Sequence, residues 1–163
     1  MESNFIEISR RRREQILQSL VLLQSFRNDF REARKIVGEP RESIYSYFGR
    51  QDEQFYSRLE EFYKANRPAL KMIEFIHQDM KELKIKTFGF FEQYGYGNPL
   101  EQGRNFGRDL RWYMQLIMDR FRIEEDYLMP LLKQMNEDPG MDHQSVKNGD
   151  RIKTEDFEDL ARF

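Results

Sequence analysis

The chain has 163 residues, of which 39% are hydrophobic and 34% are charged, and its formal net charge is -2 at pH 7. This length suits one domain with its own core, and the absence of cysteine excludes a disulfide framework.

With two histidines and no nucleophile motif, the composition favours a binding module, so we expect no enzyme, no catalytic residue and no cofactor. No segment approaches about 18 uninterrupted apolar residues and no apolar run precedes the first charges, so we expect a cytoplasmic protein without membrane contact.

The first helix is predicted from an apolar stripe that steps by three and four residues. Asn4, followed three residues later by Glu7, resembles a capping box and marks its start. Gly38 predicts that the helix ends near Val37. The stripe consists of Ile16, Leu20, Leu23, Phe26, Phe30, Ala33 and Val37.

Two shorter helices are predicted next. The first covers 40–48 and ends at Gly49, and Asp52 is a good N-cap for the second. Pro68 lacks a backbone N–H and clashes with the preceding turn, which predicts a break or strong kink over 66–68. The second short helix carries the apolar residues Phe55, Leu59 and Phe62.

Two long helices, 68–94 and 105–136, are predicted on either side of the glycine-rich loop 95–99. Pro130 predicts a kink in the second of them. Their stripes are Ala69, Ile73, Ile76, Met80, Leu83, Thr87, Phe91 and Tyr94, and Phe106, Leu110, Tyr113, Ile117, Phe121, Leu128, Leu132 and Met135.

Three long stripes cannot all be buried unless they face one another. The predicted fold is therefore all-α, an antiparallel up-down four-helix bundle with short extra helices over 1–138. Residues 139–163 form a tail that is acidic, since 137–163 carry four Lys or Arg against eight Asp or Glu. A short amphipathic helix is expected there, either as a ligand for a partner or docked on the bundle itself; it presents Phe157, Leu160 and Phe163.

A polar cluster is predicted inside the bundle. Glu74 and His77 have the Glu-x-x-His spacing of di-iron bundles, with both side chains on one helix face. If the two long helices form an antiparallel hairpin, Glu124 or Glu125 lies at the same level. We favour a structural hydrogen bond between histidine and carboxylate over a metal site, because a di-iron site needs about twice this ligand set.

The alternative function is that of a metal- or small-ligand-binding bundle of the hemerythrin or ferritin type. Leu128-Met129-Pro130, after Glu124 and Glu125, resembles the last helix of hemerythrin-like domains. Those domains rely on several histidines, and the position where one is expected holds Phe121.

Direct binding of nucleic acid is a third and less favoured hypothesis. The basic run 10–13 could contact phosphates. Four consecutive helical residues fan around the whole circumference, however, so they form a collar rather than a groove-facing stripe. We therefore interpret the run as a solvated helix segment.

Several segments resemble, in order, the family of regulators of sigma D, the Rsd/AlgQ family, over residues 20–130. The family's last helix has an Arg-Phe pair followed after two residues by Glu-Asp, and its second helix has Phe, Leu, Asp-Tyr and Ala at fixed spacings. The matching segments are Asp119-Arg120-Phe121-Arg122-Ile123-Glu124-Glu125-Asp126, Phe55-x-x-x-Leu59-x-Glu61-Phe62-x-x-Ala65, Ile36-Val37-Gly38 with Arg41-Glu42-Ser43, and Phe90-Phe91-Glu92-Gln93-Tyr94.

This resemblance implies a four-helix bundle that binds the primary sigma factor of RNA polymerase, chiefly its −35-recognising domain. Such binding keeps the sigma factor from core enzyme and DNA. The family's acidic-aromatic contact pair falls on Glu61 and Phe62 here. An acidic residue beside an aromatic anchor suits a basic DNA-binding partner. The resemblance implies further partner contacts at Phe55, Leu59, Ala65 and Arg27.

Overall fold

A computed structural model describes residues 3–95 and 99–138 of the chain. Within these ranges the chain is helical apart from short turns, and it forms no strand. A π-helical segment, Glu124–Leu128, separates the last two α-helices. The α-helices are α1 (Ser3–Ser25), α2 (Phe30–Ile36), α3 (Gly38–Gly49), α4 (Glu53–Phe62), α5 (Arg67–Gly95), α6 (Pro99–Ile123) and α7 (Met129–Glu137).

The first predicted helix is two helices in the structure, so the prediction of one continuous helix to Val37 is wrong. The chain turns after Ser25, and Asp29 caps α2 by accepting a hydrogen bond from the Glu32 N–H at 3.3 Å. The turn lets Phe30 pack against α6 beside Gly103, where an added Cβ would lie 3.3 Å from the Phe30 Cβ. The apolar stripe keeps its helical period across this turn. The N-cap at Asp29 and the close approach of Phe30 to Gly103 nevertheless end the first helix there.

The short helices follow the prediction. Asp52 caps α4 by accepting a hydrogen bond from the Phe55 N–H at 2.9 Å. The break before Pro68 is also present, and Asn66 caps α5 by accepting from the Ala69 N–H at 3.2 Å. Proline is favoured in the first turn of a helix, because the N–H that it lacks has no intrahelical partner there.

The last long helix differs from the prediction at both ends of α6. It begins at Pro99 rather than near 105, and the chain passes through one π-helical turn before Pro130 instead of a simple kink. Proline removes a backbone hydrogen bond of the preceding turn, which is compatible with the wider π geometry just upstream. The predicted loop residues 96–98 and the tail over 139–163 lie outside the described residues.

The core lies where the predicted stripes meet. All of the α5 stripe is buried, and so are the other two stripes except for the half-buried Phe26 and Met135. Helix α1 packs against α3 and α6, α5 packs against α3 and α6, and α4 packs against α5 and α7. No helix in the described part of the chain is long and apolar enough to cross a membrane.

Helices α5 and α6 are antiparallel, because their contacts run in opposite directions along the chain. Tyr94 donates to Asp109, the hydroxyls of Thr87 and Tyr113 lie 2.9 Å apart, and Arg120 donates to the Ile76 carbonyl. This register brings 76–79 level with 120, as the sequence predicted for the polar cluster.

Candidate functional site

The first candidate site lies on α4, where Glu61 and Phe62 are neighbours. Glu61 is exposed, and its carboxylate lies 2.5 Å from the Nζ of Lys64. Phe62 is half-buried and packs edge-on against Tyr63, with ring centroids 4.8 Å apart. A surface ion pair of this kind contributes little to stability.

Two further predicted residues extend this surface, and one does not. Phe55 is half-buried, and Ala65 is exposed in the turn that follows α4. Leu59 is fully buried, so its expected role as a partner contact is wrong. Its spacing of three and four residues from Tyr56 and Tyr63, both buried, points its side chain into the core. We call the remaining surface, formed by Phe55, Glu61, Phe62 and Ala65, the α4 face.

Arg27 does not belong to the α4 face. It lies in the turn after α1, where its Cβ is 3.4 Å from the position of a Cβ added to Gly107 of α6. Tyr63, at the end of α4, donates instead to the Leu131 carbonyl in α7. Gly107 and Leu131 are separated by roughly 35 Å of helix at 1.5 Å per residue, so one compact contact surface cannot include both ends.

The predicted polar cluster of Glu74, His77, Glu124 and Glu125 is not assembled. His77 Nε2 lies 3.2 Å from a Glu53 oxygen and its Nδ1 lies 3.7 Å from Glu60, both on α4. Its ring also stacks on Tyr56 at 4.1 Å.

The reason is the helical phase of α5. Ile76 faces α6, and the next residue is rotated by about 100°, which turns the imidazole of His77 toward α4. Glu74 is exposed on the same helix. The level of the cluster was predicted correctly, but the direction of its histidine was wrong.

Glu125 pairs with the N-terminal basic run rather than with His77. Its carboxylate accepts from Arg10 and, at 2.5 Å, from Arg13. Arg13 is buried and also donates to the Phe121 carbonyl at 3.0 Å. The hydrogen bond from Arg10, with that from Arg13, holds the pKa of the Glu125 carboxyl below its ordinary value. Two of the four arginines therefore fasten α1 to the π-helical segment, a role that the solvated interpretation of the run missed.

Glu124 is fully buried and belongs to a different network, centred on Arg120. The five N–H groups of the Arg120 guanidinium donate to five acceptors between 2.7 and 3.0 Å. Glu124 also accepts from Tyr47 and Gln51, at 2.5 and 2.7 Å. The acceptors of Arg120 are Glu124 Oε1, Asp79 Oδ2, Gln51 Oε1, the Tyr56 hydroxyl and the Ile76 carbonyl.

The network fixes the charge states of its members. Burial by itself lowers the pKa of Arg120, but Tyr56 and the carboxylates of Glu124 and Asp79 outweigh it, so the pKa is raised and the guanidinium stays charged. Burial raises the pKa of Tyr56 to about 12, which keeps its hydroxyl protonated. The network therefore ties α3, α4, α5 and α6 together through one internal cation.

Sequence reasoning did not find this network, although a signal was present. The predicted stripe of the last long helix steps from Phe121 directly to Leu128 and passes over Glu124, which lies on the same face. An Arg and a Glu four residues apart on an apolar face indicate a buried ion pair, and that indication points to Arg120 and Glu124.

The described residues hold no group of three or more His, Cys, Asp or Glu side chains arranged to bind a metal ion. At the place in the bundle where such ions bind in metal-binding bundles, this chain has carboxylates that are already neutralised by Arg120.

Comparison of the chain with family models, with curated proteins and with solved structures finds no match.

Proposed function

We propose that this protein is a non-catalytic transcription regulator that binds the primary sigma factor of bacterial RNA polymerase and limits its use. The resemblance of its segments to the regulators of sigma D supplies the hypothesis. The observation that supports it is the α4 face, in which an exposed acidic residue lies beside a half-buried aromatic ring.

The half-buried position of Phe62 suits such a contact. A ring that is already held against the core by Tyr63 loses little conformational freedom when a partner covers its exposed part. Glu61 provides long-range attraction for a basic DNA-binding domain. The contribution of Phe62 would not exist if its ring were fully buried.

The fold that we propose for this activity is an up-down four-helix bundle made of α1, α3, α5 and α6. Helices α2 and α4 lie outside the four, and α4 packs on α5 and α7. A short helix on the outside of a bundle presents its outer face without interrupting the core.

The residues that were candidates for metal ligands in the alternative function do not lie together. They divide between three separate interactions, namely His77 with α4, Glu125 with α1, and Glu124 with Arg120. A buried guanidinium also opposes the binding of a second cation at this level by charge repulsion. We therefore favour the protein-binding function.

Calorimetric titration of the full-length protein with the purified −35-recognising domain of primary sigma tests the proposal. We expect saturable binding that Glu61→Arg weakens roughly tenfold or more, because an attraction becomes a repulsion in the contact. The matched control is Glu14→Arg, which reverses an exposed charge on α1. Absence of binding, or equal affinity for the wild type and Glu61→Arg, would contradict the proposal.

A further inference from the structure

A second surface lies between α5 and α6, on the side of α5 that faces away from α4. His77 and Lys81 of α5 contact α4, whereas Phe75, Asp79 and Glu82 line the second surface. It is a groove of about 460 Å³ that follows α5 from Phe75 to Lys86, which is about 17 Å of helix. We call it the α5–α6 groove.

The groove has an apolar lining that is incompletely covered. Phe75 is exposed, and Leu116, Ile123 and Tyr127 are half-buried along the α6 side. The π-helical segment contributes Asp126 and Tyr127 to one end. A π-helical turn shifts the following side chains around the helix axis, and such turns are frequent at functional sites.

The charges of the groove are mainly acidic. Four carboxylates and three cations line it, but all five N–H groups of Arg120 are used inside the protein. Arg120 shares its charge between Asp79 and Glu124, and Arg122 lies 4.0 Å from Asp119. The acidic character of the groove therefore comes chiefly from Glu82 and Asp126, both of which are exposed. The four carboxylates belong to Asp79, Glu82, Asp119 and Asp126, and the other two cations are Lys86 and Arg122.

Asp79 is the deepest of these acceptors. Its Oδ2 accepts from Arg120 at 2.9 Å, and its side chain is one-third exposed. The base of the groove therefore offers a ligand no spare guanidinium N–H, because Arg120 is used by Asp79 and its other acceptors. An anionic ligand would find no donor at this base, whereas a Lys or Arg of a ligand would find acceptors in the exposed carboxylates of Glu82 and Asp126.

We propose that the α5–α6 groove binds a basic amphipathic helix of a partner protein. The length of the groove, about three helical turns, matches the contact that such a helix makes through residues at positions i, i+3, i+4 and i+7. Apolar side chains of the helix lie on Phe75, Leu116 and Ile123, and its Lys or Arg side chains reach Glu82 and Asp126, the exposed carboxylates of the groove, along their aliphatic stems.

The same charges argue against the chain's own C-terminal segment as the occupant. Residues 154–163 carry four carboxylates and one arginine, so an acidic helix would enter an acidic groove. This site is independent of the α4 face, because the two surfaces lie on opposite flanks of α5.

Trp112 provides the readout, since it is the one tryptophan of the chain. It is half exposed and lies one helical turn before Leu116, next to the end of the groove. The full-length protein is titrated with a peptide of about 18 residues that has leucines at helical spacing and lysines elsewhere. We expect a saturable change of tryptophan emission that weakens as salt is added.

The test variant is Glu82→Lys with Asp126→Lys, which reverses two exposed charges of the groove. We expect it to weaken binding of the basic peptide roughly tenfold. Glu14→Lys and Glu61→Arg, which lie outside the groove, should leave peptide binding unchanged. Titration of the sigma domain with the same variants separates this proposal from the proposed function, because only Glu61→Arg should weaken that interaction.

Three results would overturn the proposal. Unchanged peptide affinity of the double variant would remove the groove as the site. Equal or tighter binding of a peptide with the sequence of 154–163 would assign the groove to the chain's own tail. Dimers in sedimentation velocity that the double variant abolishes would assign it to a second copy of the chain.

Discussion

Arg120 is the residue on which the interior of this bundle depends most. A guanidinium with 1% of its side chain exposed is stabilised only because each of its N–H groups has an acceptor and two carboxylates share its charge. Removing one member of such a set leaves the other polar groups buried without their hydrogen-bond or ion-pair partners. The resulting loss of folding stability is larger than the stability that the intact set provides.

We therefore predict that Arg120→Leu lowers the free energy of unfolding by about 3–5 kcal/mol, because Glu124 stays buried without its cation. Urea denaturation followed by circular dichroism measures this. The control Arg122→Leu removes an exposed arginine two residues later and should change stability by at most about 0.5 kcal/mol. A cost below about 1 kcal/mol for Arg120→Leu would show that the network is not a structural requirement.

The pKa of Glu125 predicts a dependence of stability on pH. Its folded-state pKa is lowered, chiefly by the hydrogen bond from Arg10, so the pair stabilises the fold above the ordinary glutamate pKa of about 4.3. This contribution is lost as the pH falls from there through the folded-state pKa.

We expect Glu125→Gln to reduce the slope of unfolding free energy against pH in this acidic range and to lower stability at neutral pH. Denaturant titrations at a series of pH values measure both effects. Glu14→Gln, at an exposed carboxylate, should keep the wild-type slope. An unchanged slope in Glu125→Gln would mean that the pairs with Arg10 and Arg13 are absent in solution.

Two helical glycines test the packing of the long helices. Gly89 lies in the interior of α5, six residues before its end, and an added Cβ there would meet no other side chain or helix within 4 Å. A Cβ on Gly103 of α6, in contrast, would meet the Phe30 Cβ at 3.3 Å. Alanine is favoured over glycine in a helix by about 0.8–1.0 kcal/mol.

We predict that Gly89→Ala raises the free energy of unfolding by about 0.5–1 kcal/mol and that Gly103→Ala does not. The reason for the difference is that Phe30 must move before the Gly103→Ala side chain fits. Thermal and urea unfolding of the two variants measure it. An equal gain in both would show that the turn after α1 does not lie against α6.

The elements could be predicted wherever hydrophobic periodicity or a cap determines them. The stripes of α5 and α6 are long, and their residues are buried as predicted. The N-cap at Asp52 and the break before Pro68 were predictable because each depends on residues that are close together in the sequence. The break at Asp29 was not, because it depends on the approach of Phe30 to Gly103, which are distant in the sequence.

At the scale of the whole molecule, the sequence predicted the position of a residue along the bundle axis better than the neighbouring helix that its side chain faces. His77 lies near the level of Arg120, but a rotation of one residue separates a partner on α4 from one on α6. The residues of the α4 face were expected only because the segment 55–65 resembles the second helix of the regulators of sigma D, and this segment is continuous in the sequence. The α5–α6 groove could not be predicted, because it forms from two helices and a π-helical turn.

The molecule presents two chemically different surfaces on opposite flanks of α5. The α4 face combines Glu61 with the half-buried ring of Phe62, and the α5–α6 groove combines carboxylates with a longer apolar lining. The two proposals are compatible with each other, because neither surface shares a residue with the other.

Site-specific labelling tests the central claim, that the α4 face binds the primary sigma factor. The chain contains no cysteine, so Ala65→Cys attaches one environment-sensitive dye at the exposed end of the α4 face. Glu14→Cys places the same dye on α1 as a control. We predict that the −35-recognising domain of sigma changes the emission of the Ala65→Cys dye saturably and leaves the Glu14→Cys dye unaffected. No change at either position, or the same change at both, would contradict binding through this face.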